Sequence, residues 1–262
     1  MENHGRDEAL FQEIAAALGY KENKLAFTLL AQRLPLGFLR KQSDVAEATL
    51  FGVAGFLEAP DLAIYTGETR GYVRGLWDRW WPHRDGMQRL VLPAKLWRLS
   101  GTRPLNHPQR RLGALATLTN AWPSFTRSLT KKNAKTVEGF FLGLRHPFWN
   151  LHYTLASDPA AQEMALLGES RIAEILANVL LPFFLAEGAG VWAAYETLPA
   201  RLSNRRLETG AARLFGSDPR RSHFTRTIAH QQGLLQIYED FCLQDDSDCA
   251  QCPFPEQMRK WK

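Results

Sequence analysis

Arg98-Leu-Ser-Gly-Thr-Arg-Pro-Leu-Asn-His-Pro-Gln-Arg-Arg-Leu112 begins as one kind of structure and ends as another. Four arginines, two prolines, an asparagine and a histidine crowd into fifteen residues, and then an apolar helical pattern takes over at Leu112, Leu115, Ala116 and Leu118. Asn106 or His107 stands where an N-cap belongs, and Pro108 suits the first helical position. The stretch therefore reads as an irregular loop that ends on a helix N-terminus. Free N–H groups and the positive end of the helix dipole gather there, and Arg98, Arg103, Arg110 and Arg111 add formal charge. With Asn106 and His107 they form a candidate anion site for a carboxylate or a phosphate. The plainer alternative is a basic loop whose arginines pair with the protein's own acids.

Outward from this loop the chain reads as helix after helix. Leu10, Ile14 and Leu18 have helical spacing and Gly19 stops them; a second pattern runs from Lys24 to Leu34 and ends at Pro35. Asp44-x-x-Glu47 resembles a capping box for a helix in which Gly52 and Gly55 permit close packing. Thr66 to His83 is aromatic and basic, with Tyr72, Val73, Leu76, Trp77, Trp80 and Trp81 as its apolar stripe. Between residues 85 and 107, Leu90–Pro93 and Lys95–Arg98 are expected to be short extended pieces. Further helices follow Pro108 and Trp122, and one spans about 134 to 143. Glu169 to Leu185 is the most apolar of all; Val191–Leu202 and Asn204–Phe215 read as a hairpin; a last long helix runs from Asp218-Pro219 to about Phe241. The fold class is all-α: a multi-helical domain over residues 1–241 and a cysteine-containing tail over 242–262.

The 262 residues, 45% of them apolar, suffice for a full core. Net charge is +5, and it is unevenly placed: residues 70–111 hold nine Arg and one Lys against two Asp, while residues 239–248 hold five acids and no base. One basic face and one acidic lobe follow. The N-terminus has no apolar leader, and no apolar run approaches the ~20 residues a bilayer requires, so a cytoplasmic protein with no membrane partner is expected.

Three groups of residues could carry chemistry. Cys242-x6-Cys249-x2-Cys252 follows the last helix, and its spacing resembles the first three ligands of the iron–sulfur loop of endonuclease III-type glycosylases; Met258 stands at the fourth position. A [4Fe–4S] cluster, zinc, a disulfide formed on oxidation and free thiols all remain open, and Asp245, Asp246 and Asp248 disfavour added thiolate charge. On the apolar helix, Arg171, Glu174 and Asn178 share a face and, with His230, could line a cleft; an exposed stripe or an internal ion pair is the plainer reading. His223 and His230, seven residues apart on one expected helix, would be separated by about 10 Å. Trp77, Trp80 and Trp81 could stack on bases, although such stripes usually form core.

Several phrases together resemble the C-terminal portion of the bacterial family named domain of unknown function 2851. They are Ala17-Leu-Gly-Tyr-Lys-Glu-Asn-Lys24, Arg103 to Leu112, Gly168-Glu-Ser-Arg-Ile-Ala-Glu-Ile-Leu-Ala-Asn178, Leu181-Pro182, and Gln232 to Tyr238 running on to the cysteines. Longer relatives look to carry an N-terminal, nuclease-like half, so the resemblance implies that this chain is a separately encoded or truncated helical half, with a nuclease-like half as its expected partner. Three functions are expected to compete: a nucleic-acid-linked accessory module of a nuclease-like assembly, a metal-stabilised protein-interaction scaffold, and a small-molecule enzyme with a helical cleft.

Overall fold

The computed structural model describes residues 3–58, 62–200, 203–243 and 249–261, the side chains of residues 3, 4 and 250 excepted. The chain is all-α. Among the described residues the only β pairing is an isolated antiparallel bridge between Pro199 and Thr227. Two compact units form, Met1–Ile175 and Leu176–Lys262. No described helix is long and apolar enough to cross a membrane.

The first unit contains α1 (Asn3–Leu18), α2 (Tyr20–Arg33), α3 (Leu36–Lys41), α4 (Ala46–Val53), α5 (Gly67–Trp80), α6 (Arg84–Met87), α7 (Pro108–Asn120), α8 (Trp122–Leu129), α9 (Ala134–Leu142) and α10 (Glu169–Ile175). Helix α4 is the centre. Its sequence is apolar on every side apart from Glu47, and residues 46 and 48–53 are all buried. Helices α5 and α7 pack against it. Two glycines set how closely. The ring of Trp80 lies on α4 at Gly52, where a Cβ would come within 2.2 Å of the indole; Trp149 lies on α7 at Gly113, where a Cβ would come within 2.1 Å. Both tryptophans are completely buried as a result.

The helix starts follow their sequences only in part. Pro108 and Pro123 occupy first-turn positions of α7 and α8. Asn133 caps α9 by accepting from the Thr136 amide at 3.1 Å. The capping box expected at Asp44 is absent: Val45 is the N-cap of α4 and no side chain caps it, because Glu47 is engaged elsewhere. The pieces before α7 are extended only in part, at Val91, Pro93 and Trp97. They form 3-10 turns at Gln88–Leu90, Ala94–Leu96 and Pro104–Asn106, fastened to the helices beneath them. Arg33 donates to the carbonyls of Leu90 and Val91, the Leu92 amide to Val53, and the Trp97 indole to Ala54. The Asn23 side chain grips Arg98 by both its amide and its carbonyl.

The second unit opens with a π-turn (Leu176–Leu180), followed by α11 (Leu181–Ala186), α12 (Trp192–Thr197), α13 (Arg205–Phe215), α14 (Ile228–Ile237) and α15 (Phe254–Lys260). Its core is small: Leu207, Ala211 and Leu234, joined by Leu214, Phe215, Phe224 and Leu235. The long helix expected from Asp218 is broken. Asp218 caps a 3-10 segment, Pro219–Thr225, and Thr227 then caps α14. Each side-chain oxygen accepts from an amide two or three residues ahead, so two separate starts replace one continuous helix.

Candidate functional site

The first turn of α7 points inward. Arg110 and Arg111 are 0% and 3% exposed. Arg110 donates to the carbonyls of His152 (2.9 Å), Met164 (3.3 Å) and Ala165 (2.8 Å). Arg111 donates to the Leu166 carbonyl at 2.8 Å and to Asn106 Oδ1 at 2.7 Å. Gln109 accepts from the Leu155 amide. These three residues hold the irregular segment 145–167, which dips into the core at 148–152 and 166–167 and leaves carbonyls that no helix ladder satisfies. The expectation that Arg103, Arg110 and Arg111 converge on one anion is corrected accordingly. Arg98 and Arg103 stay exposed at the surface, and Arg98 donates to its neighbour Ser100. Own acids are not what occupies Arg110 and Arg111; backbone carbonyls and the Asn106 side chain are.

His107 is 8% exposed, and its Nδ1 makes no hydrogen bond among the described residues. Burial presses its pKa down to about 4.

Arg111 also meets the second candidate group. Arg171, 7% exposed, donates through Nη1 to Glu174 and to the Ala17 carbonyl, and its guanidinium lies 3.8 Å over the ring of Tyr20. Tyr20 takes a left-handed backbone (φ 56°) at the sharp junction of α1 and α2. Its neighbour Gly19 is required for space, since a Cβ there would stand 2.5 Å from the Asn23 carbonyl oxygen. A tyrosine in this conformation costs roughly 1–2 kcal/mol, which the surrounding packing must offset.

Arg110, Arg111, Arg171, Glu174 and Tyr20 thus act on one another. Burial, with the charges of Arg171 and Arg110 added, lowers the Arg111 pKa to about 9, against the pull of Glu174 and Tyr20. Burial lowers Arg110 to about 10. Burial raises the Glu174 carboxyl even though both Arg171 and Arg111 pull it down. Cationic charge exceeds anionic, and the Nε atoms of Arg110, Arg111 and Arg171 are buried without partners among the described residues.

The other cleft candidates belong to the second unit. Asn178 accepts from Gln232 at 2.6 Å within that unit. His230 lies near His223 with ring centroids 5.3 Å apart, much closer than one continuous helix would place them, because the chain breaks between the two. Cys242, Cys249 and Cys252 are free thiols, and among the described residues no three His, Cys, Asp or Glu side chains gather as a metal site. Asp245, Asp246 and Asp248 lie outside the described residues.

Sequence reading missed one polar network altogether. Glu47 Oε1 accepts from Tyr72 Oη at 2.5 Å and lies 2.9 Å from His146 Nε2. His146 Nδ1 accepts from the Phe148 and Trp149 amides, which places the ring proton on Nε2, facing Glu47. The Trp149 indole donates to the Tyr72 hydroxyl at 2.7 Å. Burial would raise the Glu47 carboxyl, but hydrogen bonding and charge from His146, with Tyr72, hold it below its ordinary value; burial and the Glu47 charge push Tyr72 well up. Every member is satisfied, so the network fastens α4, α5 and the 145–167 segment together. Glu47 was the detectable signal, as the lone charge in a helix otherwise apolar.

Helix α5 divides its aromatics between two faces. Val73, Leu76 and Trp80 are buried. Trp77 and Trp81 pack against each other with ring centroids 5.0 Å apart and planes tilted by 41°, Trp81 is 52% exposed, and Arg84 lies 4.1 Å above its ring. Arg70 and Arg74 precede them at spacings of four and three residues, which continues one outward stripe. A hollow of about 420 Å³ beside this stripe is lined by Trp77, Trp80, Arg84, Asp85 and Gln88.

The family model described as protein of unknown function (DUF2851) matches residues 1–196. The chain belongs to the DUF2851 family. The DUF2851 match covers the arginine clamp, the Arg171 cluster and the α5 stripe, and it stops short of Gln232–Tyr238 and the cysteines. No curated protein and no solved structure matches the chain.

Proposed function

We propose that this chain is a helical module that binds single-stranded nucleic acid through the outward stripe of α5. The reading is carried by the Trp77–Trp81–Arg84 group, in which half-exposed Trp81 packs tilted against Trp77 and carries Arg84 over its ring, within residues 70–111 and their nine arginines. Unpaired bases stack on such surfaces at about 1–3 kcal/mol each without demanding a sequence. Exposed Arg70 and Arg74 continue the same face of α5 and add positive charge that a phosphate backbone would neutralise. Asp78 and Asp85 offset part of it, at 3.9 Å from Arg74 and 3.2 Å from Arg84. Duplexes, whose bases are already stacked, should bind more weakly.

The test is a salt titration of fluorescent single- and double-stranded oligonucleotides, with tryptophan quenching followed in parallel. Single strands should bind with a steep salt dependence and quench the indoles. No binding at low salt, or duplex preferred to single strand, would remove this reading.

A further inference from the structure

We infer that the cluster of Arg171, Arg111 and Tyr20 is a phosphate-binding site. The inference rests on different residues from the nucleic-acid reading and does not depend on it.

The argument begins with which donors are used. Arg171 directs Nη1 at Glu174 and the Ala17 carbonyl. Its opposite edge, formed by Nε and Nη2, makes no hydrogen bond among the described residues, and Nε is buried. That edge is the one with two parallel N–H vectors, the fork that matches two oxygens of a carboxylate or a phosphate. Arg111 spends both terminal nitrogens on Leu166 and Asn106 and keeps a buried Nε without a partner. Unpaired buried donors of this kind are uncommon in folded proteins and call for an explanation.

Charge selects the ligand. The groups acting on Arg111 are Arg171 and Arg110 on one side and Glu174 and Tyr20 on the other. Three arginines therefore face one carboxylate. A singly charged carboxylate would leave an excess, whereas a phosphate carrying close to two charges balances it. The cluster reaches the surface at its rim, where Tyr20 is 40% exposed and the Glu174 side chain 35% exposed. Tyr20, held in its left-handed conformation, fixes the plane of the Arg171 guanidinium from below, so the fork is oriented before any ligand arrives. Glu174 takes the place of the ligand on the Nη1 edge and competes with it electrostatically.

The experiment is calorimetry and thermal unfolding of the full chain at pH 7 and constant ionic strength. The probes are inorganic phosphate, ribose 5-phosphate and acetate. Inorganic phosphate should bind saturably at one site and raise the Tm, with acetate at least about tenfold weaker. Ribose 5-phosphate binding as tightly as phosphate assigns the site to a phosphomonoester; binding much more weakly assigns it to free phosphate. Arg171→Lys, which removes the fork and keeps the charge, should weaken phosphate at least about tenfold. Glu174→Gln should tighten it several-fold, an effect that a purely structural ion pair would not produce. Trp81→Ala should leave phosphate binding unchanged, which separates this site from the α5 stripe. The inference is overturned by phosphate that acts no differently from chloride, or by Glu174→Gln that leaves affinity unchanged or lower. The second criterion stands even where Arg171→Lys fails to fold.

Discussion

Trp149 lies flat on the backbone of α7 at Gly113, with Cδ1 only 2.1 Å from where a Cβ on that residue would stand. The ring cannot retreat, because its other face stacks on Phe51 at 5.8 Å and its indole nitrogen is tied to Tyr72. Gly113→Ala should therefore cost about 3 kcal/mol or more, at the upper end of overpacking effects, although alanine is ordinarily the better helix residue. Urea denaturation of the variant measures this; an unchanged or higher midpoint would show that the ring has somewhere to go.

Arg110 should act on stability and hardly on ligand binding. Arg110→Met keeps the apolar stem and strips three carbonyls, one of them buried, of their donor, for an expected loss of about 3 kcal/mol. Arg110→Lys retains the charge but cannot span His152, Met164 and Ala165 together, so it should fall in between. Thermal unfolding of both variants, with oligonucleotide affinity measured alongside, checks the assignment. Full stability in Arg110→Met would refute the clamp.

The two neighbouring tryptophans of α5 should behave oppositely. Trp80→Ala empties the space over Gly52 and should cost about 3–5 kcal/mol. Trp81→Ala removes a half-exposed ring and should leave the Tm nearly unchanged while lowering single-strand affinity roughly tenfold, the lower part of the stacking range. Equal effects of the two on affinity would mean that only folding is being measured.

His107 gives the fold an acid limit. Its folded pKa of about 4 lies below the ordinary 6.5, so between these values the unfolded chain binds a proton that the folded chain refuses. Stability from this residue is complete above pH 6.5 and falls as pH drops through the window, the loss reaching about 3 kcal/mol by pH 4. Denaturant unfolding of the native chain and His107→Gln from pH 7 to 4 should show the two curves converging by this amount. Parallel curves would mean that His107 titrates normally.

The helices were legible because apolar residues recur at helical spacing, as Leu10, Ile14 and Leu18 do in α1, and because Pro108, Asn133 and Asn204 mark starts. The direction of Arg110 and Arg111 was not. An arginine in the first turn of a helix looks the same in sequence whether it faces water or a loop full of carbonyls. A clue was available in Arg111, which is in phase with Leu115 and Leu118 on the buried side of α7. The meeting of Arg111 with Arg171, sixty residues away in sequence, depends on tertiary packing that periodicity cannot supply. Trp77, Trp80 and Trp81 show the same limit at short range. Their spacing identified a helix, but only the position of Gly52 determined which ring went inside.

The clamp at the start of α7 also bears on the order of assembly. Arg110 and Arg111 reach carbonyls 42 to 55 positions further along the chain, with α8 and α9 in between. Such contacts reward the chain only after the intervening loop has closed, so they belong to the late side of the folding barrier. The segment 145–167 should then be the last part of its unit to dock and the first to open. Its amides should exchange with solvent together, faster than those of α4 and at a rate set by the breaking of two guanidinium clamps.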